Sequence, residues 1–364
     1  MDKFAVFESK TTPPGAIAPF AGPIVFHPVI RRPPVLRALA VFLLCLLSTC
    51  STGELVEEIL GSSSEAPVFL AYQPLSNREI NFRFSLPVRV KSLNLEPFLP
   101  VESLSEGTDV KLILGENPAG GERFIADILV EDHAGNTLNV LIPFRTRNER
   151  VPRLLINELR TEYSKPRTEF VELKALEEGS LGALRLYIAG NTKDPLVFEF
   201  PPVEVAADEY ILLHLRTLDS DTGAVNETGP DLDLSKGNEA HDKARDFWVP
   251  GSAKLLHPTD VVYLTDQDDT IIDAVILSEA PDSWWSKEEF VQAADMLYRQ
   301  EAWLSEDGKI AGPQDAVITG KTTPTRSICR EESVSDGNDA GDWYITANSS
   351  ATPGGPNNPK RYEG

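Results

Sequence analysis

An alternation of period two is the feature that most limits what this chain can fold into. In "EINFRFSL", Ile80, Phe82, Phe84 and Leu86 point one way, and Asn81, Arg83 and Ser85 point the other. Phe124, Ala126, Ile128 and Val130 repeat the pattern, as do Leu138, Val140, Ile142 and Phe144. Successive side chains leave a strand on opposite faces, so these runs suit half-buried strands and give no apolar stripe to a helix. The last two runs flank "EDHAGN", whose Asp, Gly and Asn tolerate positive φ and suit a hairpin turn. Strands at this spacing predict a β-sandwich over residues 67–146.

The basic, polar, Pro-terminated stretch "RTRNERVP" marks a boundary, with a linker at 147–152. Strand-like runs resume with "RLLINEL", "TEFVELKAL", "LVFEFPPVEV" and "EYILLHLR". Residues 217–256 are rich in Asp, Gly, Asn and Ser and read as a mobile surface insertion. "DVVYLTDQDDTIIDAVIL" reads as a hairpin with an Asp-rich turn. A second insertion, near 278–322, carries one helix. Ser286 and Glu289 are spaced for a capping box, and Phe290, Ala294, Leu297 and Tyr298 fall on one face.

One strongly apolar run interrupts this picture, Ala38 to Leu47. Its ten residues are too few for a bilayer, which needs about 20. Arg31, Arg32 and Arg37 precede it, and Ser48, Thr49 and Cys50 follow. Positive region, short apolar region and small residues are the layout of a secretory signal. "LSTC" resembles the lipobox of bacterial lipoproteins, although Thr49 stands where Gly, Ala or Ser is usual. That resemblance implies a diacylglycerol on the Cys50 thiol and removal of residues 1–49, with an uncleaved membrane anchor as the alternative. Several acyl chains on one residue give stable membrane anchoring, where one would be marginal. Ser51 rather than Asp after the lipid site leans toward outer-membrane sorting. Residues 1–36 are Pro-rich and long for a signal n-region, so translation is expected to start near Val35 or Leu36. N-terminal sequencing of the precursor checks this, and a start at Met1 refutes it. Residues 50–66 are small, acidic and polar, as suits a flexible tether.

Two further resemblances bear on the exported part. "VEDHAGNTLNVLIPF" resembles the closing hairpin of bacterial immunoglobulin-like domains. Residues 153–357 resemble a lamin-tail domain, through pieces in that family's order. "LLINEL" carries Asn157 and Glu158, and "TEFVEL" carries Glu169, Phe170 and Glu172. "ALRLYIAG", "FPPVEVAADEYILL" and "DVVYLTDQDDTIIDAV" follow, the first without the family's usual Trp. "TRSICRE" places Ser327 and Arg330, and "DWYITANSSATPGGPN" places Trp343, Thr352, Pro353, Gly354, Pro356 and Asn357. The combined expectation is an all-β protein of two immunoglobulin-like β-sandwich domains, the second with a helical insertion, and a tail at 358–364. The resemblance implies a binding or scaffolding module rather than an enzyme.

Composition limits the chemistry. The formal charge is −22, and the opening 49 residues hold five basic and two acidic side chains, a local +3 that leaves −25 for the remainder. Such a surface repels phosphate backbones, which disfavours nucleic-acid binding through a basic face. Cys45, Cys50 and Cys329 form no CxxC pair, and Cys329 is expected as a small buried hydrophobe. No GxSxG elbow or GxxxxGK loop occurs, and the histidines at 27, 133, 214, 241 and 257 lack metal-binding spacing. No cofactor is expected. "SDGNDAGD" offers Asp336, Asn338 and Asp339 as weak calcium candidates, but Ala340 and Ala347 stand where an EF-hand needs ligands. Asn157, Glu158, Glu169 and Glu172 come from neighbouring strands, with an acid pair as one reading and edge charges paired to Arg160 or Arg167 as the favoured one. Trp248, Trp284, Trp285 and Trp303 fall in the two insertions, either as part of a protein-binding face or as pins holding the insertions down. The leading expectation is a lipid-anchored envelope protein with a protein or cell-surface partner. The alternative is a metal-dependent hydrolase, or an accessory subunit of one, using the carboxylate clusters.

Overall fold

The computed structural model describes residues 65–219, 222–282 and 284–364. Their regular structure is mostly strand, with one α-helix of more than one turn. The expected signal segment, Cys50 and most of the tether lie outside the described residues.

The first six strands form one sheet: β1 (Phe69–Pro74), β2 (Glu79–Glu96), β3 (Val101–Leu104), β4 (Gly107–Leu114), β5 (Arg123–Asp132) and β6 (Thr137–Arg145). Its order is β3-β4-β2-β5-β6, with β1 also on β2. The period-two runs behave as their spacing predicts. Ile80, Phe82 and Phe84 are buried, as are Phe124, Ala126, Ile128 and Val130. Leu86 is only half-buried, and Val88 takes up the inward role. The reason is an interruption in β2 between Arg83 and Val88, where pairing with β4 lapses and pairing with β5 begins. Pro87 lies in that gap and has no N–H to give a ladder. In "EDHAGN", Asp132 accepts the N–H groups of Ala134 and Asn136, and Gly135 takes φ +86°.

The remaining strands form two larger sheets and a short pair around a second core. Their ranges are β7 (Leu154–Arg160), β8 (Phe170–Ala175), β9 (Gly179–Ser180), β10 (Arg185–Ile188), β11 (Leu196–Glu199), β12 (Glu204–Val205) and β13 (Tyr210–His214). After these come β14 (Arg245–Trp248), β15 (Asp260–Thr265), β16 (Ile271–Ser278), helix α1 (Glu288–Arg299), β17 (Val317–Ile318), β18 (Ile328–Arg330) and β19 (Trp343–Ile345). One sheet runs β14-β13-β8-β7-β18-β19, the other β11-β10-β15-β16-β17, and β9 pairs with β12. Both larger sheets send side chains into a single core, Ile156, Leu173 and Ile211 from the first and Leu186, Val262 and Val275 from the second.

Two expectations need correction. The 217–256 stretch is not merely a surface loop, because β14 adds to the sheet beside β13. Glu227 anchors it, accepting the N–H groups of Leu234, Ser235 and Asp246. Helix α1 begins after Lys287, which makes no side-chain cap, so the Ser286 capping box does not form. Its buried face is Phe290, Ala293, Ala294 and Leu297, while Tyr298 is 40% exposed. The 147–152 segment is tied on both sides. Asn148 donates to the Ser180 and Gly182 carbonyls, and its N–H donates to Gln267. The 358–364 tail also packs, with the Tyr362 N–H on the Ile345 carbonyl and Arg326 over the Tyr362 ring.

Candidate functional site

Strands β7 and β8 bring the sequence-singled carboxylates together, but not at an edge. The register slips between Ile156 and Glu158, so Asn157 is the extra residue of a bulge and Glu158 stands opposite Glu172. Both glutamates are fully buried. The segment that covers them comes from the far end of the chain. Thr352 donates its N–H to Glu158 at 3.0 and 3.2 Å, and its hydroxyl at 3.2 Å. Gly354 donates its N–H to Glu172 Oε2 at 2.5 Å, and Asn157 Nδ2 donates to Oε1 at 2.8 Å. Asn357 donates its N–H to Glu332, and its amide to the carbonyls of Asn157 and Arg330. Gly354 sits at φ +86° against His241, where a Cβ would overlap the ring, so only glycine fits.

Burial pushes the Glu158 carboxyl up, against hydrogen bonds from Ser327 and Thr352. Burial, and then the charge of Glu158, push Glu172 well above the usual range. Two carboxylates so placed cannot both ionise cheaply, so they titrate as a pair. The neighbouring Cys329 thiol is pushed far up, first by burial and then by Glu158, which keeps it from acting as a thiolate. Glu169, by contrast, faces elsewhere and takes a two-pronged pair from Arg216 at 2.6 and 2.9 Å. The pairing of these acids with Arg160 or Arg167 at a sheet edge is therefore not what forms.

A second polar node centres on Arg330, which is 4% exposed. It reaches Asp273 at 2.7 Å, Asp336 at 2.6 Å and the Ile156 carbonyl at 2.8 Å, with Trp343 beneath its guanidinium. Burial pushes Asp273 up to about 7, although Arg330 and the Ile156 N–H pull the other way. This node takes up the acidic loop considered for calcium. Asp336 is committed to Arg330. Asn338 donates to the Glu301 carbonyl, and Asp339 accepts the Gly341 N–H as a cap. Asp342 accepts the Gly337 N–H. Among the described residues no group of three or more His, Cys, Asp or Glu is arranged to hold a metal ion.

Residues 152–345, more than half of the chain, match a family model named TP_1001_2nd and described as a protein second domain. The chain belongs to the TP_1001_2nd family. An "Uncharacterized protein" of Treponema pallidum (strain Nichols) is 27% identical over 254 residues, covering 66% of this chain. This chain spans 62% of that relative's length. A distant likeness, at 12% identity and a TM-score of 0.27, links 73% of this chain to 88% of a DUF4876 family protein from Bacteroides thetaiotaomicron VPI-5482.

The four tryptophans occupy different settings within the TP_1001_2nd region. Trp248 is buried, stacks on His214 with centroids 3.7 Å apart, and donates to Ser235. His214 in turn pairs with buried Asp246 at 2.7 Å. Trp303 is 1% exposed and donates to the Asp315 carbonyl. Trp285 is half-buried against Phe290 and donates to the Ala311 carbonyl. Trp284 alone of the four stands in solvent, 85% exposed. A shared four-tryptophan binding face is therefore not present; three of them pin the insertions. Arg160, Arg245 and Arg330 are buried cations that no sequence pattern marked as site residues. Buried arginine has no periodicity signature, and only the register of Arg330 within "TRSICRE" hinted at it.

Proposed function

We propose that this is a lipid-anchored bacterial cell-envelope protein, held to a membrane through acyl chains on Cys50 and acting as a non-catalytic binding or scaffolding module. In this reading its strands make two immunoglobulin-like sandwiches, the second of lamin-tail type, and the outer membrane is the expected site. The observation that carries it is the closed polar centre. Glu158, Glu172 and Glu332 each accept main-chain N–H groups from residues 352–357, so these acids stitch the chain's end to its middle. Carboxylates used in this way hold a surface in shape. The lipobox-like "LSTC" suits an envelope setting, and the similarity to a Treponema pallidum protein suits a bacterial one.

Palmitate labelling of cells expressing the protein tests the anchor. Label on the wild type and none on Cys50→Ser, with the variant lost from the membrane fraction, supports the reading. An unlabelled wild type overturns it. Calorimetric titration with divalent metals, run beside a gel shift at low salt, tests the rest. Stoichiometric metal uptake coupled to hydrolysis, or a nucleic-acid shift, would replace a scaffold with an enzyme or a nucleic-acid binder.

A further inference from the structure

Arg160, at the end of β7, sits at the back of a pocket of ≈ 330 Å³ that the polar centre does not use. Its guanidinium is 2% exposed and rests over the Phe170 ring. One nitrogen is fully occupied: Nη1 donates to Glu239 at 2.7 Å and to the Thr168 carbonyl at 3.2 Å. Nε is buried with no partner, and Nη2 has none among the described residues. Arginine stays protonated at any relevant pH, and a buried donor left unmade is costly. Nε and Nη2 make up one edge of the fork, the edge that matches two oxygens of an anion.

The rest of the pocket has the same sense. Arg167 lines it from the β7–β8 turn, is exposed, and makes no ion pair among the described residues. Glu239 neutralises one of the two arginines, so the pocket keeps an excess positive charge within a chain of −22. His241 and the hydroxyl-bearing Thr325 and Ser349 complete the walls, which come from four separate segments. Glu239 and Ser349, both on the lining, take φ of +65° and +57°. Left-handed backbone at non-glycine residues is costly and tends to gather at ligand sites.

We infer that this pocket binds a small oxyanion, held by Arg160 and Arg167. Donors on several walls suit the tetrahedral oxygens of a phosphoryl or sulfuryl group better than the planar pair of a carboxylate, which a single arginine fork would satisfy. The test is calorimetric titration of the full chain with inorganic phosphate, sulfate and acetate at matched ionic strength. Saturable one-to-one binding of phosphate or sulfate, at a dissociation constant of about 1 mM or tighter, is expected. The arms for the two ions tell which group is preferred. Arg167→Gln, at an exposed unpaired position, should fold normally and weaken binding at least about tenfold, since a charge-assisted bond is worth that much. His241→Ala gives a second reading on the same wall without touching the buried charge. No saturable binding by the wild type overturns the inference, as does binding that Arg167→Gln leaves unchanged, or binding of acetate alone.

Discussion

Glu172 has no ion pair among the described residues, and the charge that acts on it most is another carboxylate, Glu158. Its folded pKa lies above its unfolded value, so its contribution to stability is greatest below the unfolded pKa and is lost as pH rises through the folded one. Glu172→Gln should therefore lower stability at pH 5 by about 1 kcal/mol, through a weakened hydrogen-bond set, yet flatten the decline between pH 5 and pH 8. Urea midpoints at the two pH values check this, and an unchanged slope would show that the pair does not titrate there. Arg330 carries the opposite risk. Its loss in Arg330→Met strands Asp273 and Asp336, and breaking such a buried pair costs about 3–5 kcal/mol. The loss should shrink at pH 5, where Asp273 can take a proton. Both glutamates were visible in "LLINEL" and "TEFVEL", but their burial was not. It depends on a one-residue bulge and on a segment nearly 200 positions away, and neither leaves a local pattern.

Elements were legible where burial is one-sided. The β5 and β6 runs alternate because one face meets the core, and their inward sets match the spacing. The β7, β8 and β13 strands are buried on both faces, so alternation disappears and only apolar runs and order identify them. Insertion 217–256 was the least legible, since its hold comes from Glu227, Arg245 and Asp246, polar residues that in sequence look like a solvated loop. The same blindness affects the tryptophans. Trp303, buried beside helix α1, should cost about 3–5 kcal/mol on Trp303→Ala. Trp284→Ala should change stability by no more than about 0.5 kcal/mol. Chemical denaturation of the two variants side by side checks the contrast, and equal losses would mean that the second insertion folds over Trp284 as well.

At the scale of the whole molecule, the described residues hold two separate hydrophobic cores, and polar contacts run between the parts that carry them. Glu199 on β11 takes both Arg123 and Arg145 of the first sheet, and Arg147 reaches Asp268. Burial works against Glu199, but the two arginines outweigh it and hold its pKa low. Asn136 holds Asp132 low, and Lys174 holds Glu332 low despite burial. Groups of this kind stabilise the fold above their unfolded pKa and lose that contribution as pH falls through the folded value. Glu158, Glu172 and Asp273 act in the reverse sense, favouring the fold at low pH and losing their effect as pH rises, for Asp273 by about 7. Self-repulsion adds to the second trend, because a chain of −22 sheds charge as it approaches its pI of ≈ 4.7. The two trends meet between the unfolded carboxylate range and neutrality. Stability should therefore peak near about pH 5–6 and fall on both sides, with added salt recovering part of the loss at pH 8 by screening. Melting temperatures across pH 3–9 at two ionic strengths decide it. A peak at pH 8 would mean that the buried acids are ionised and compensated in the native state, whereas a loss there that salt does not touch would assign the decline to the buried acids rather than to self-repulsion.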